Sequence, residues 1–239
     1  ELTITASLEV AGNQDGVAVL PAKLAADIVR LIEPGAIEVD ATGERPRVSG
    51  GRSEFFLNAI PADEYPARPE PVGESVTIAA GDLAEGLKQV VRAASTDDSR
   101  PVLTGVLMTA EDDGLRLVST DSYRLAVRDL PGKAVLRAGQ EVLIPSRALN
   151  EVARVLGDND SVSLVLSDND VSFEIGDLTI ATQLIQGDFP DYRKLIPATR
   201  PPALIVNRHS FMDALRRVKL MAAEHTPVRL TMAVDSLIL

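Results

Sequence analysis

The sequence contains no cysteine, which rules out disulfide frameworks, thiolate metal sites and cysteine nucleophiles. No apolar run approaches the roughly 20 residues that a membrane helix needs. No basic-then-apolar leader resembles a signal peptide, and the expectation is a cytoplasmic chain with no membrane partner. The phosphate-cradling type of Gly-rich loop is missing, so nucleotide hydrolysis has no support. Histidine occurs only at His209 and His225, neither in a triad context; His209, just before Ser210, reads as a helix-start residue. Positive charge is also short, with 24 Lys and Arg against 35 Asp and Glu and a net charge of −11. Taken as a total, that argues against nucleic acid, whose phosphates are bound through Lys and Arg.

What is present is an ordinary globular composition, 239 residues with 45% apolar and 25% charged. It is organised by an internal repeat. Pro21, Lys23, Asp27, Ile28, Arg30, Leu31 and Ile32 coincide, at an offset of 124, with Pro145, Arg147, Glu151, Val152, Arg154, Val155 and Leu156. At the same offset Glu64, Tyr65 and Pro66 fall on Asp188, Phe189 and Pro190. A second match, at an offset of 128, carries Val76, Ile78, Leu83, Glu85, Leu87, Lys88 and Val90 onto Leu204, Val206, Phe211, Asp213, Leu215, Arg216 and Val218. A unit of about 125 residues therefore recurs: the later half of one copy, a whole second copy and the opening of a third. The chain starts and stops in strand-like runs, which reads as a piece of a longer parent. Proline-rich joints, four prolines over 61–71 and three over 197–202, separate the copies.

Apolar periodicity predicts helices over 22–32, 82–94, 146–156 and 210–222, with Asp82 a candidate cap for the second. Between them lie alternating strands such as 115–118, 161–166 and 171–175, the last two joined by a turn at 167–170. Each copy reads as an α+β domain with antiparallel sheets. The four helices hold nine basic and five acidic residues, against 15 and 30 in the rest of the chain. A positive surface offered to a polyanion, inside an acidic exterior, fits that distribution. The excess is too small for tight binding by phosphate neutralisation alone.

Arg100, Pro101, Val102, Leu103 and Gly105, followed by Leu115 to Val118 and then Thr120, Asp121, Arg124, Leu125, Ala126 and Val127, resemble the central signature of bacterial sliding clamps, the β subunit of DNA polymerase III. Gly187, Phe189, Pro190, Tyr192, Leu195 and Pro197 add a second block, and Gly51, Arg52, Pro61, Tyr65 and Pro66 an earlier one. The resemblance spans the chain and implies repeated DNA-clamp domains: residues 1–71 as the C-terminal half of domain 1, 72–198 as domain 2, and 199–239 as the start of domain 3. It further implies a head-to-tail homodimer ring with helices lining a central hole and sheets outside. Such a ring is a non-catalytic processivity factor for DNA replication, holding double-stranded DNA topologically and without sequence preference. It needs no cofactor and no metal. Its protein partners would be the replicative polymerase, the clamp loader and repair polymerases, docking short peptide motifs in a hydrophobic cleft.

Carried over by position, the cleft wall is Leu103, Thr120, Ser122, Tyr123, Arg124, Leu125, Pro190, Lys194 and Leu195. Ser122 stands where the family commonly has Gly, Tyr123 where it commonly has His or another residue, and Lys194 where it commonly has Arg. For DNA contact, Arg100 matches a family position and Arg147 sits beside one; Lys23, Lys88 and Arg154 join them from the basic helix faces. Two other readings compete: an α+β enzyme or small-molecule binder using the pocket around Leu103, Leu125 and Leu195, and a peptide-docking adaptor without DNA. Thr120, Asp121 and Ser122 could pass for a nucleophile with an acid beside it, but adjacent strand residues point to opposite faces. The pairs Asp97 and Asp98, Asp112 and Asp113, and Asp168 and Asp170 fit turn chemistry better than a metal site.

Overall fold

The computed structural model describes all residues except 1, 44, 66–72, 74, 112–113, 133–135, 158, 200–202, 223–225 and 234. Pro66, the Asp112 and Asp113 pair, His225 and parts of both proline-rich joints therefore lie outside the described residues. The elements run β1 (Leu2–Ala6), α1 (Ala22–Leu31), β2 (Ile37–Asp40), β3 (Arg47–Gly50), β4 (Ser53–Phe56), β5 (Ser75–Ala79), α2 (Ala80–Val90), β6 (Gly105–Glu111), β7 (Gly114–Thr120), β8 (Leu125–Pro131), β9 (Glu141–Pro145), α3 (Ser146–Leu156), β10 (Ser161–Leu166), β11 (Asp170–Ile175), β12 (Leu178–Gln183), α4 (Arg208–Lys219), β13 (Thr231–Met232) and β14 (Leu237–Ile238). Residues 1–190 form one unit and 191–239 another.

In the first unit, α2 and α3 pack on each other and on two antiparallel sheets, ordered β8-β7-β6-β9 and β1-β12-β11-β10-β5. Helical spacing puts Leu83, Leu87 and Val90 of α2 and Leu149, Val152 and Leu156 of α3 on inward faces, where all six are fully buried. They meet Leu115 and Leu117 of β7, Val162 and Leu164 of β10, and Phe173 of β11. Gly86 lets α2 lie close to the sheet: a Cβ there would stand 3.0 Å from Leu117 Cδ1 and 3.3 Å from Leu130 Cδ2. A smaller cluster, Ile28, Ile32, Val48 and Leu57, holds α1 on the sheet β2-β3-β4.

The repeat is visible in the backbone. The hairpin from β3 to β4 turns at Gly51 with φ 59°, and that from β11 to β12 turns at Gly176 with φ 56°. Residues 2–6, moved by the repeat offset, fall within β8, so β1 is the counterpart of β8. Strand β1 adds to the edge of β12 in the complete copy, with Ile4 opposite Ile180.

Two helix starts differ from expectation. Asp82 does not cap α2. Strand β5 runs directly into the helix at Ala79, and the Ala80 amide is satisfied by the Asp160 carbonyl at 3.0 Å, so the helix begins two residues earlier. Asp82 instead lies in the first turn, where its charge favours the helix N-terminus. Helix α4 likewise starts at Arg208, because the Asn207 side chain accepts the Ser210 amide at 3.1 Å. His209 is its second residue.

The second unit carries α4 and the hairpin of β13 and β14. No residue of α4 is buried.

Candidate functional site

The densest group of expected cleft residues sits on the turn joining β7 to β8, where Thr120 and Leu125 are the last cross-strand pair. Thr120 is buried; its Oγ1 donates to the Arg124 carbonyl at 2.7 Å and accepts the Ser122 amide at 3.1 Å. Asp121 organises the rest. Its Oδ1 accepts the amides of Tyr123 at 2.9 Å and Arg124 at 3.0 Å, and its Oδ2 accepts Arg124 Nε at 3.0 Å. Burial pushes the Asp121 carboxyl up, but the two amides and the Arg124 guanidinium outweigh that and hold it below the usual carboxylate range. The expectation that 120–122 is a strand is thus corrected: β7 ends at Thr120, and Ser122 has φ 77°. Asp121 is tied to backbone amides and an arginine rather than to a hydroxyl it could activate. Held this way, Tyr123 stands 94% exposed at the tip of the turn.

A second segment is fastened to this turn. Arg100 Nη1 donates to Ser122 Oγ at 3.3 Å and its Nε to Asp97 Oδ2 at 3.1 Å. Hydrogen bonds from Ser99, with help from Arg100, hold the Asp97 carboxyl below its ordinary range. Leu103, on a short 3-10 turn after Arg100, is buried, and its carbonyl accepts the Ser95 amide at 2.8 Å. The structure therefore brings Arg100, Leu103, Thr120, Ser122, Tyr123, Arg124 and Leu125 into one neighbourhood. Pro190 is exposed at the end of the first unit. Lys194 and Leu195 belong to the second unit, on a 3-10 turn, both exposed. Lys194 Nζ is paired with Asp191 Oδ2 at 2.8 Å; that bond lowers the Asp191 carboxyl and raises the lysine.

Of the expected DNA-contact residues, Lys23, Lys88, Arg147 and Arg154 lie on helices of the first unit, whereas Arg100 lies on the segment tied to the β7–β8 turn. Lys88, Arg92 and Arg154 line a groove between α2 and α3 whose floor is Ala84, Leu87, Val91 and Ala153. Arg154 Nε is held by Glu151 at 2.8 Å and Arg147 by Asp98 at 3.5 Å. Lys23 lies on α1, at the position that the repeat equates with Arg147. Arg92, one of the nine basic residues on the expected helices but not among the expected DNA contacts, also lines this groove; its spacing of four from Lys88, one helical turn, was the signal for it. Among the described residues, no group of His, Asp and Glu is placed to hold a metal. Nor is any helix among them long and apolar enough to cross a membrane.

A turn that presents Tyr123, and arginine and lysine gathered along a groove between two helices, stand out on this repeat-built α+β scaffold, which has the architecture of a binding module. The family model for the N-terminal domain of the DNA polymerase III beta subunit matches residues 1–69, and that for its central domain matches residues 77–191. The beta sliding clamp of Micrococcus luteus is 32% identical, covering 96% of this chain and 74% of that protein. That of Streptomyces coelicolor is 34% identical over the whole chain and 65% of the relative. The crystal structure of the Bartonella birtlesii sliding clamp, bound to griselimycin, superposes with a TM-score of 0.88 at 30% identity, covering 97% of this chain and 64% of that one. The chain belongs to the bacterial beta sliding clamp family. It spans less than two thirds of the length of several curated relatives, 65% for Streptomyces coelicolor and 57% for Bacillus subtilis.

Proposed function

We propose that a protein carrying this sequence is a DNA sliding clamp: a non-catalytic ring that encircles duplex DNA and confers processivity on the replicative polymerase. Family membership together with the basic groove of α2 and α3 is the observation that carries this reading. The groove is mild, because Glu151 and Asp98 already neutralise two of the neighbouring arginines. A weakly cationic wall suits sliding better than gripping, since tight phosphate contact would stall movement. Retention then comes from ring closure by a head-to-tail homodimer, with Lys23, Lys88, Arg100, Arg147 and Arg154 as sequence-independent DNA contacts. The setting is cytoplasmic.

The same protein docks polymerase, clamp loader and repair proteins through a cleft walled by Leu103, Thr120, Ser122, Tyr123, Arg124, Leu125, Pro190, Lys194 and Leu195. Supporting this is the way Asp121 and Arg100 rigidify the turn that presents Tyr123. Residues 1–71, 72–198 and 199–239 serve as parts of successive clamp domains. Loading of the parent chain onto nicked circular DNA tests the ring. Complexes should survive on circles and be lost on linearisation, and equal retention on both substrates would overturn the reading.

A further inference from the structure

One guanidinium stands between the basic helix face and the turn that presents Tyr123. Arg100 ends a loop, 95–100, that is fixed at several points. The Ser95 amide donates to the Leu103 carbonyl at 2.8 Å, Ser95 Oγ accepts the Asp97 amide at 3.1 Å, and the Arg100 amide donates to the Asp97 carbonyl at 3.1 Å. This loop adjoins the basic start of α3, because Arg147 Nη2 meets Asp98 Oδ2 at 3.5 Å, and Arg92, Asp98 and Arg147 line a common cavity. From the loop the Arg100 side chain crosses to the β7–β8 turn, with Nε on Asp97 and Nη1 on Ser122 Oγ. It is 43% exposed, so an anion in solvent can reach it.

The two partners of Arg100 are unequal. Asp97 is a carboxylate, paired with the guanidinium at 3.1 Å and itself fastened by the Ser99 amide and hydroxyl at 3.0 and 2.6 Å. Ser122 offers a neutral hydroxyl at 3.3 Å, longer than an ordinary hydrogen bond. An ionised acceptor makes a bond roughly twice as strong as a neutral one. A phosphate oxygen arriving at Arg100 therefore displaces Ser122 and leaves Asp97 in place. Ser122 is also strained: with φ 77° it holds a conformation that glycine adopts freely, so the hydroxyl is what a serine adds there. Beside it Tyr123 stands exposed on the same turn.

We infer that Ser122 is a positioning residue for Arg100: its hydroxyl holds the guanidinium on the turn, and a phosphate of the duplex must draw it away. The two surfaces thus compete for one side chain. The inference rests on the DNA-encircling reading for the identity of the anion. By linkage the competition is reciprocal, so the duplex loosens the turn around Tyr123, and whatever keeps the turn ordered weakens the duplex contact.

Fluorotyrosine built into the 239-residue chain reads the turn, since Tyr65, Tyr123 and Tyr192 alone take the label and Tyr123→Phe assigns the line. Anisotropy of a short labelled duplex at low salt reads the affinity, and circular dichroism should show the fold kept in every variant. Saturating duplex should move the fluorine line of Tyr123 toward its position in free Ser122→Ala. In Ser122→Ala and Ser122→Gly the duplex should leave that line in place. Both variants should bind the duplex about two- to fivefold more tightly than the unsubstituted chain, the worth of one exposed hydrogen bond. In an Arg100→Ala background, adding Ser122→Ala should leave the affinity as it was, which separates this pair from a general effect on the turn. Unchanged affinity in the Ser122 variants, a Tyr123 line that moves as far without the hydroxyl as with it, or tightening by alanine but not by glycine would each overturn the inference while the duplex still binds. A chain that binds no duplex at low salt would overturn the DNA reading and the inference with it.

Discussion

Replacing Asp121 with alanine should loosen the turn that carries Tyr123, and the size of the effect follows from the hydrogen bonds removed. The carboxylate accepts two backbone amides, at 2.9 and 3.0 Å, and one guanidinium nitrogen at 3.0 Å. Between the two amide-bearing residues and Asp121 sits Ser122 with φ 77°, a region that costs an ordinary L-residue about 1–2 kcal/mol. The turn is exposed, so the freed amides turn to water and the loss resembles that of a helix cap, about 1–2 kcal/mol. For a unit of this size that corresponds to a fall in melting temperature of about 2–8 °C. Thermal unfolding by circular dichroism measures it at neutral pH. Acid supplies the control. Because the folded-state pKa of Asp121 is depressed, its stabilisation is present above the unfolded value of about 4 and disappears as pH falls through the folded one. The gap between parent and Asp121→Ala should therefore close as the solution is acidified, other carboxylates being common to both. A gap of constant size down to about pH 2 would refute the argument that charge on this carboxylate holds the turn.

Two further outcomes are expected. Leu195→Asp, at an exposed position, should abolish binding of a clamp-binding peptide in fluorescence anisotropy while leaving circular dichroism unchanged; unaltered affinity would remove Leu195 from the cleft. Replacing Lys88, Arg92 and Arg154 together by alanine should weaken binding to a labelled duplex uniformly across sequences, and should reduce the salt slope by about one for each phosphate no longer neutralised. An unchanged slope would show that the groove between α2 and α3 does not meet the duplex.

Much of the architecture was legible because it repeats. Pro21 and Pro145 each precede a helix, and the period of Leu149, Val152 and Leu156 marks the buried face of α3 without ambiguity. Composition alone placed the turn between β10 and β11, since Ser167 to Asp170 has no apolar side chain to bury. What escaped was set by contacts distant in sequence. Asp82 looks like a cap, but the Asp160 carbonyl, 80 residues further on from Ala80, satisfies the first amide. Strand β1 alternates like any half-buried strand, and nothing local says that its partner is β12. At the site, the resemblance selected Thr120, Ser122, Tyr123, Arg124 and Leu125 for the wall, while the role of Asp121 was obscured by reading the triplet as extended. Its pattern, an aspartate two and three residues before amides that it can accept, was the missed signal.

The pairing of Leu2–Ala6 with Leu178–Gln183 sets an order of events at the ribosome. At about 5–20 residues per second, the strand made first waits roughly 10–35 seconds for the one it must join. Until then the edge of this strand that faces β12 has no ladder to complete, and loop closure over so long a span is slow even once both strands exist. A chaperone that shields Leu2–Ala6 during that interval therefore has most to offer the nascent chain.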